Sequence, residues 1–450
     1  MANVIKLRKG LDVNLKGKAS LEKFAVKSSG KYALVPDDFP GVKPKVVVKE
    51  EDHVKAGDAL FVDKNHPSVK FVSPVSGKVT LVERGERRKV LSVQVEADAQ
   101  QEFVDFHAKN VKELDGASVK AFMLEAGLFA FFRQRPYDVM PSPEEAPKAI
   151  FVSAFNSMPL AADFEFVLKG QEKDFQTGLD ALARIAPVHL GVSACQTSQA
   201  LLKASGVTVT VYDGPAPAGN VGVQINHVSP VNKGEVVWTL GAEEVIFVGR
   251  AFNTGRVDFT RTVALAGSEV SAPAYCEMKV GQRLDTLLEG RVAVDKNVRV
   301  INGNVMTGVR TSADGFLAAH ATEVNVIPEG DDVHEMLGWI MPRCNQFSTS
   351  RSYMSWMFGK KKEYVFDARV KGGERHMIMS GEYDRVFPMD IFPEALVKAI
   401  ITGDIDRMEA LGIYEVAPED FALCEFVDSS KLEVQRIVRE GLDMLRKEMA

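Results

Sequence analysis

Phe129, Phe131, Phe132, Arg133 and Arg135 crowd into one short segment, AGLFAFFRQRPYDVMP. Aromatic faces stack on a planar ring, and guanidinium groups reach its carbonyl oxygens or an acidic surface on a neighbouring chain. The same pattern fits a helix end packed into a core, with both arginines solvated. A second candidate surface is Ser352-Tyr353-Met354-Ser355-Trp356-Met357-Phe358, which runs into Gly359-Lys360-Lys361-Lys362. Rings and methionines followed by ammonium groups suit a membrane-adjacent or partner-facing surface, or else a core helix ending in a solvated charge run.

Other residues offer chemistry and then lack the partners for it. Lys64 sits at the tip Asp63-Lys64-Asn65 of VKAGDALFVDKNHPSVKFVSPVSGKV, where a carrier domain would attach lipoate. His66 and Pro67 follow at once, no acidic run precedes, and nothing downstream resembles an acyltransferase, so Lys64 reads as a turn residue. Cys195, Cys276, Cys344 and Cys424 form no C-x-x-C pair, which argues against a zinc knuckle, an iron–sulfur cluster or a disulfide framework. Cys195 lies between PVHLGVS and QTSQALLKAS, where a nucleophile could be held, yet no His or acid is placed by sequence to serve it. Gly303-Asn304-Val305-Met306-Thr307-Gly308 has the glycine spacing of a phosphate loop, but Val309 and Arg310 stand in place of the Lys and hydroxyl residue, so it reads as a turn.

Length and periodicity supply the framework for these residues. The chain has 450 residues, 46% of them hydrophobic, enough for several cores. A net charge of −6 gives no global field for nucleic acid. No apolar run is long enough to span a bilayer, and the basic N-terminus lacks the apolar stretch of a secretory signal, so a cytoplasmic location is expected. Residues 1–100 read as a barrel-sandwich (biotinyl/lipoyl-like) domain, with turns at Gly57-Asp58 and Ser76-Gly77 and with Val69, Phe71, Val79 and Leu81 alternating as half-buried strand residues. Residues 101–253 alternate the strand-like runs AIFVSAF, APVHL, VTVTVY and VIFVG with the helix-like KELDGASVKAFMLEAG and FQTGLDALARIA, the rhythm of a parallel-sheet Rossmann-like α/β domain. They lack the G-x-G-x-x-G turn of a dinucleotide site. Residues 254–329 read as a β-grasp (SLBB-like) module. Residues 330–450 read as a helical region whose last helix opens on the capping-box pattern Ser430-Lys431-Leu432-Glu433 and presents Val434, Ile437, Val438, Leu442 and Leu445 on one face. The expected fold class is therefore α/β and α+β multidomain.

Ten segments in order, among them IKLRKGLDVNLKGK, VDKNHPSVKFVSPVSGKV, KAIFVSAFNSMPLAA, EVIFVGRAFNTG, MLGWIMPRCNQFSTSRSYM and GEYDRVFPMDIFP, carry an end-to-end resemblance. The chain resembles the NqrA family, the NqrA subunit of the Na+-translocating NADH:quinone oxidoreductase. The resemblance implies a peripheral subunit on the cytoplasmic face of a bacterial inner membrane, in a complex that oxidises NADH, reduces quinone and exports Na+. It also implies distant kinship with the flavin-binding subunit of respiratory complex I and with the RnfC protein of the Rnf electron-transfer complex. The implied partners are the other subunits, chiefly a membrane-embedded one, and the planar ring offered to Phe129, Phe131, Phe132, Arg133 and Arg135 becomes a quinone.

Departures from the relatives matter as much. Their glycine-rich flavin and NADH loop is replaced here by Gly127-Leu128-Phe129-Ala130-Phe131-Phe132-Arg133, whose side chains fill the volume a phosphate needs. Cys424 stands alone where a ligand run would be, with Asp428 where many relatives within the NqrA family keep a second Cys. The family's H-P-A-G appears as Ala216-Pro217-Ala218-Gly219, and its H-x-H as Gln224-Ile225-Asn226 with His227 one position later, which places any role of those histidines in doubt here. Neither flavin, iron–sulfur cluster nor covalent lipoate is expected on this chain. Two functional classes remain: a participant in quinone reduction within the complex, with no independent activity, and a cofactor-free adaptor covering a quinone site in a membrane-embedded partner. A lipoyl-type carrier is a third.

Overall fold

The structure, a computed structural model, describes residues 3–293, 297–331, 340–359 and 361–449. Met336 to Trp339 and Lys360, which belong to two of the segments singled out above, lie outside the described residues.

Two small antiparallel sheets, one of strands Lys31–Leu34, Val90–Ala97, Gly77–Arg84 and His53–Val54 and one of Pro44–Val46, Ala59–Asp63 and Lys70–Val72, form the barrel sandwich. Val69, Phe71 and Val79 are buried between them as their alternation predicts. Leu81 is 40% exposed, because a bulge between Val79 and Leu81 shifts the register and turns the next side chain outward. Lys64 is exposed at the hairpin tip, while the carboxylate of buried Asp63 accepts the Lys43 and His66 amides and fixes the turn.

The α/β domain is built on a six-stranded sheet ordered Asn3–Lys6, Thr208–Asp213, Val188–Ser193, Ile150–Ser153, Val237–Gly241, Arg133–Arg135. All neighbours are parallel except the last strand, which runs antiparallel along Val237–Gly241. The expected strand VIFVG is instead part of helix Ala242–Thr254, and the strand precedes it as VWTLG. That helix is buried on nearly every side, so its apolar run shows no 3.6-residue stripe and reads as a strand. Helix Glu172–Ile185 packs along it so closely that a Cβ on Gly178 would meet the Val245 side chain at 2.7 Å.

A second six-stranded sheet, ordered Val309–Thr311, Val298–Asn302, Glu323–Pro328, Thr260–Ala266, Ala274–Lys279, Ser20–Phe24, carries the β-grasp module with its short helix Asp285–Leu288. Strands Asn3–Lys6 and Ser20–Phe24, from the N-terminal end of the chain, supply edge strands to both larger sheets. An edge strand needs one partner only, and between the two strands Leu7, Val13, Leu15 and Ala19 are buried.

Helices Pro393–Thr402, Ile405–Ala410, Ala422–Val427 and Val434–Glu448 form the C-terminal region, and Val434, Ile437, Val438, Leu442 and Leu445 are all buried. This core also takes in Leu7, Tyr212 and Val223 of the α/β sheet and its flanking helix. The expected capping box is absent. Ser430 Oγ donates to the His376 carbonyl and accepts the Ile378 amide, tying down the 375–378 strap instead. Among the described residues no helix is long and apolar enough to cross a membrane.

Candidate functional site

Strands Ile150–Ser153 and Val237–Gly241 lie side by side, yet the chain runs from the first through Val188–Ser193 and Thr208–Asp213 before it crosses back to the second. Strand order reverses between them, and beyond their carboxyl ends a crevice must open, the usual place for a ligand in an open α/β sheet. A cavity of about 520 Å³ occupies it, bordered by Ser153 and Gly241. Its volume falls within the roughly 300–1,000 Å³ of small-molecule sites. The β-grasp module closes it with the Asn302 to Val309 turn and with His320 and Glu323, the C-terminal region adds Glu419, and the barrel sandwich adds Asp38.

The aromatic-basic segment reaches this cavity with some of its residues. Helix Gly116–Glu125 ends at Gly127, whose φ of +70° suits glycine and where a Cβ would fall 2.7 Å from Val72 Cγ1. The 3₁₀ turn Leu128–Phe131 follows. Phe129 and Phe132 turn into the core against Trp238, with ring centroids 5.4 and 5.5 Å away, and take no part in the cavity wall. Phe131 faces the other way, among Phe259, Phe247 and His320, and lines the cavity. Strand alternation then sends Arg133 and Arg135 to the cavity and Gln134 to the opposite face.

The two arginines do different work. Arg135 is 1% exposed, donating through Nη1 to Asp138 Oδ1 at 2.5 Å and through Nη2 to Glu419 Oε1 at 3.0 Å. Arg133 remains one-third exposed, its guanidinium 3.9 Å from Asp138 Oδ2. Burial alone would raise the Asp138 pKa, but Arg135 and Arg133 hold it below the usual carboxylate range. Arg135 therefore joins the sheet to the C-terminal region, and Arg133 keeps donor capacity toward a ligand.

The wall opposite is acidic, which sequence reasoning missed. Glu243 and Glu244 occupy the first turn of helix Ala242–Thr254, directly beyond the strand. The Glu244 carboxylate folds back over Gly241, where any Cβ would collide with it. It accepts from Arg261 Nη2 at 2.8 Å and lies 3.7 Å from His320 Nδ1. Burial would raise its pKa, but the Arg261 guanidinium brings it down to about 2. Glu243 lies 3.5 Å from Arg261 Nε, with no hydrogen bond to either oxygen, and burial pushes it up to about 8. Burial also raises Glu323, lowers His320, and raises Asp38 to about 6, although Asp38 accepts the Ala319 amide.

A helix N-terminus at a switch point commonly receives a ligand phosphate. Here the chain's own carboxylate takes that place, and a phosphate would meet Glu244 rather than free amides. The cavity lining instead includes the Phe131 and Phe155 rings, Leu240 and the Arg133 guanidinium, a set suited to a planar uncharged ring bearing acceptor oxygens. The Ala216-Pro217-Ala218-Gly219 segment, with a cis Ala216–Pro217 bond, borders it at Gly219, whose carbonyl accepts from Ser153 Oγ. Gln224 is buried behind Ser153 and donates to that hydroxyl, and His227 Nδ1 lies 2.9 Å from the Val223 carbonyl. Cys195 is exposed, Cys276 and Cys424 are buried, and none of the four cysteines is paired. Among the described residues no group of three or more His, Cys, Asp or Glu is placed to hold a metal ion.

Glu243 gives a pH test. A carboxyl whose folded pKa lies above its unfolded value of 4.5 loses stability as pH rises from about 4.5 to about 8, because the folded form binds the proton more tightly. Glu243→Gln, which stays neutral, is expected to match the wild type near pH 5 and to unfold at higher temperature than the wild type at pH 9. Thermal melts across that range check it, and parallel curves for the two proteins would show that Glu243 ionises freely.

Three family models match: the NqrA N-terminal barrel-sandwich hybrid domain over residues 5–98, the NqrA second alpha/beta domain over 114–257 and the NQRA C-terminal domain over 262–313. The NqrA subunit of the Na(+)-translocating NADH-quinone reductase of Yersinia pestis is 36% identical over 452 residues, covering 99% of this chain and all of the relative. The Haemophilus influenzae and Neisseria meningitidis proteins of the same description are 36% and 35% identical, each over 451 residues and with the same coverage. Among solved structures, an NAD+-reducing [NiFe]-hydrogenase in its H2-reduced state aligns over 49% of each chain at a TM-score of 0.36 and 17% identity.

Proposed function

Because the chain belongs to the NqrA family, we propose that it serves as the peripheral NqrA subunit of a Na+-translocating NADH:quinone reductase, held at the cytoplasmic face by a membrane-embedded partner and contributing to the quinone-reduction step. The observation that carries the quinone reading is the switch-point cavity, in which Phe131 and Arg133 face an interior whose helix N-terminus is filled by Glu244. Such a wall admits a neutral quinone head group and opposes a phosphate-bearing cofactor. Electrons from NADH then arrive through other subunits, and this chain contributes binding and orientation: Phe131 by apolar contact, Arg133 by donating to a carbonyl oxygen.

Hydrogen exchange on the purified chain with and without a short-chain quinone tests this. Slowed exchange is expected at residues 131–135 and 302–309, which border the cavity. Saturable binding without protection there would place the quinone elsewhere, and no binding at all would leave the second reading, a cofactor-free adaptor. That reading is favoured by Arg135, whose bonds to Asp138 and Glu419 join two parts of the chain. Lipoyl carriage on exposed Lys64 is tested by intact mass, since the group would add a discrete increment.

Attachment by protein contacts and a charged rim also predicts that high salt or a chaotrope strips the chain from membranes holding the complex. Release by detergent alone would require an inserted segment or lipid anchor.

A further inference from the structure

Residues 340–362 contain five cationic side chains and neither Asp nor Glu, in a chain of net charge −6. The structure divides the apolar residues of this stretch into two sets. Phe347 turns inward, its ring 5.6 to 6.0 Å from those of Tyr364, Phe366 and Phe426, and the Tyr364 hydroxyl donates to the carbonyl of buried Ser355. The Lys16 amide donates to the Tyr364 carbonyl, and the Met354 amide to that of Pro342, so the 3₁₀ turn Met354–Phe358 is anchored from two sides. With that anchoring complete, Trp356 is still 54% exposed, Met357 66% and Phe358 58%, and Ile340 and Met341 beside them are exposed as well. The Arg351 guanidinium lies 5.6 Å from the Trp356 ring, Lys362 Nζ lies 4.3 Å from the Phe358 ring, and Lys361 is exposed.

We propose that this face docks on an anionic lipid surface, with Trp356, Met357 and Phe358 entering the headgroup layer and Arg351 and Lys361 meeting lipid phosphates. Aromatic rings flanked by cations are the side chains that settle at a membrane interface. Charge decides for lipid: with neither Asp nor Glu in 340–362 the face suits an anionic bilayer, near which each cation strengthens binding about fivefold. The folded anchor beneath, with Phe347 and Tyr364 already packed, leaves the outer rings no role in the chain's own core. The docking surface is independent of the quinone reading, since lipid binding needs neither the cavity nor a quinone.

The test is sedimentation of the full-length purified chain with vesicles of phosphatidylcholine alone or of equimolar phosphatidylcholine and phosphatidylglycerol. Retention is expected on the anionic vesicles only, weakening as salt rises, together with a blue shift of fluorescence that Trp356→Phe abolishes. Arg351→Glu with Lys361→Glu should weaken retention by more than tenfold, and Trp356→Ala with Phe358→Ala should do so at all salt concentrations. Both pairs should leave the melting temperature unchanged, because the side chains are outside the core. Failure of the native chain to bind anionic vesicles, or equal binding to neutral ones, overturns the proposal. If the same variants then impair assembly with the membrane-embedded partners, the face is a protein interface instead.

Discussion

Phe132→Ala is expected to destabilise the protein by about 3–5 kcal/mol while leaving quinone affinity of the folded molecules unchanged, and Arg133→Ala to do the reverse. The two residues are adjacent, but the strand entry sends them to opposite surroundings. Phe132 is 1% exposed, packed with Phe129 onto Trp238, and its truncation leaves a void that the strand cannot collapse to fill. Arg133 borders the cavity, and its contact with Asp138 at 3.9 Å is too long to hold much stability. Loss of a charge-assisted hydrogen bond there costs about 1.5–3 kcal/mol of binding, or roughly ten- to a hundredfold in Kd. Urea unfolding and quinone titration on both variants give four numbers. Normal quinone kinetics in an assembled complex carrying Arg133→Ala would remove the ligand role and leave this segment as scaffold.

Arg135→Met should be at least as damaging to stability, by about 3–5 kcal/mol, because it strands Asp138 in a buried site beside Glu419 and Asp420. The pH profile separates this cause from lost packing. Asp138, depressed by its arginines, contributes stability above its unfolded value near 3.8 that is lost as pH falls through the folded one. Without Arg135, the largest of those charges, that contribution shrinks, so the variant should show a shallower acid loss than the wild type and come closest to it below about pH 4. Asp420, which burial and neighbouring Glu419 raise to about 7, acts oppositely: it binds its proton more tightly when folded, so stability declines from about pH 4 to 7. Removing Arg135, whose charge lowers Asp420, should carry that decline to higher pH. Arg135→Met with Asp138→Asn should recover much of the loss at neutral pH. A variant deficit independent of pH, unrelieved by the second change, would mean that packing rather than charge is at fault.

Fold class and family are legible in the bare chain because both rest on local patterns: turn residues between short alternating strands at 54–79, amphipathic stripes at 172–185 and 434–445, and colinear segments along the whole length. The segment from Phe129 to Arg135 is legible too, since rings beside cations stand out in one dimension. Which of those side chains face a cavity is a matter of three dimensions, because a 3₁₀ turn and the strand after it send Phe131, Arg133 and Arg135 one way and Phe129 and Phe132 the other. The acidic wall was illegible for a related reason. VIFVG reads as a strand, which hides both the strand VWTLG before it and the fact that Glu243 and Glu244 begin a helix at the sheet's carboxyl end. A helix buried on all sides loses the period that would announce it. Arg135 and Glu419 are 284 residues apart. Pairings at such separation leave no trace in local spacing, since they are set by how the domains close on one another.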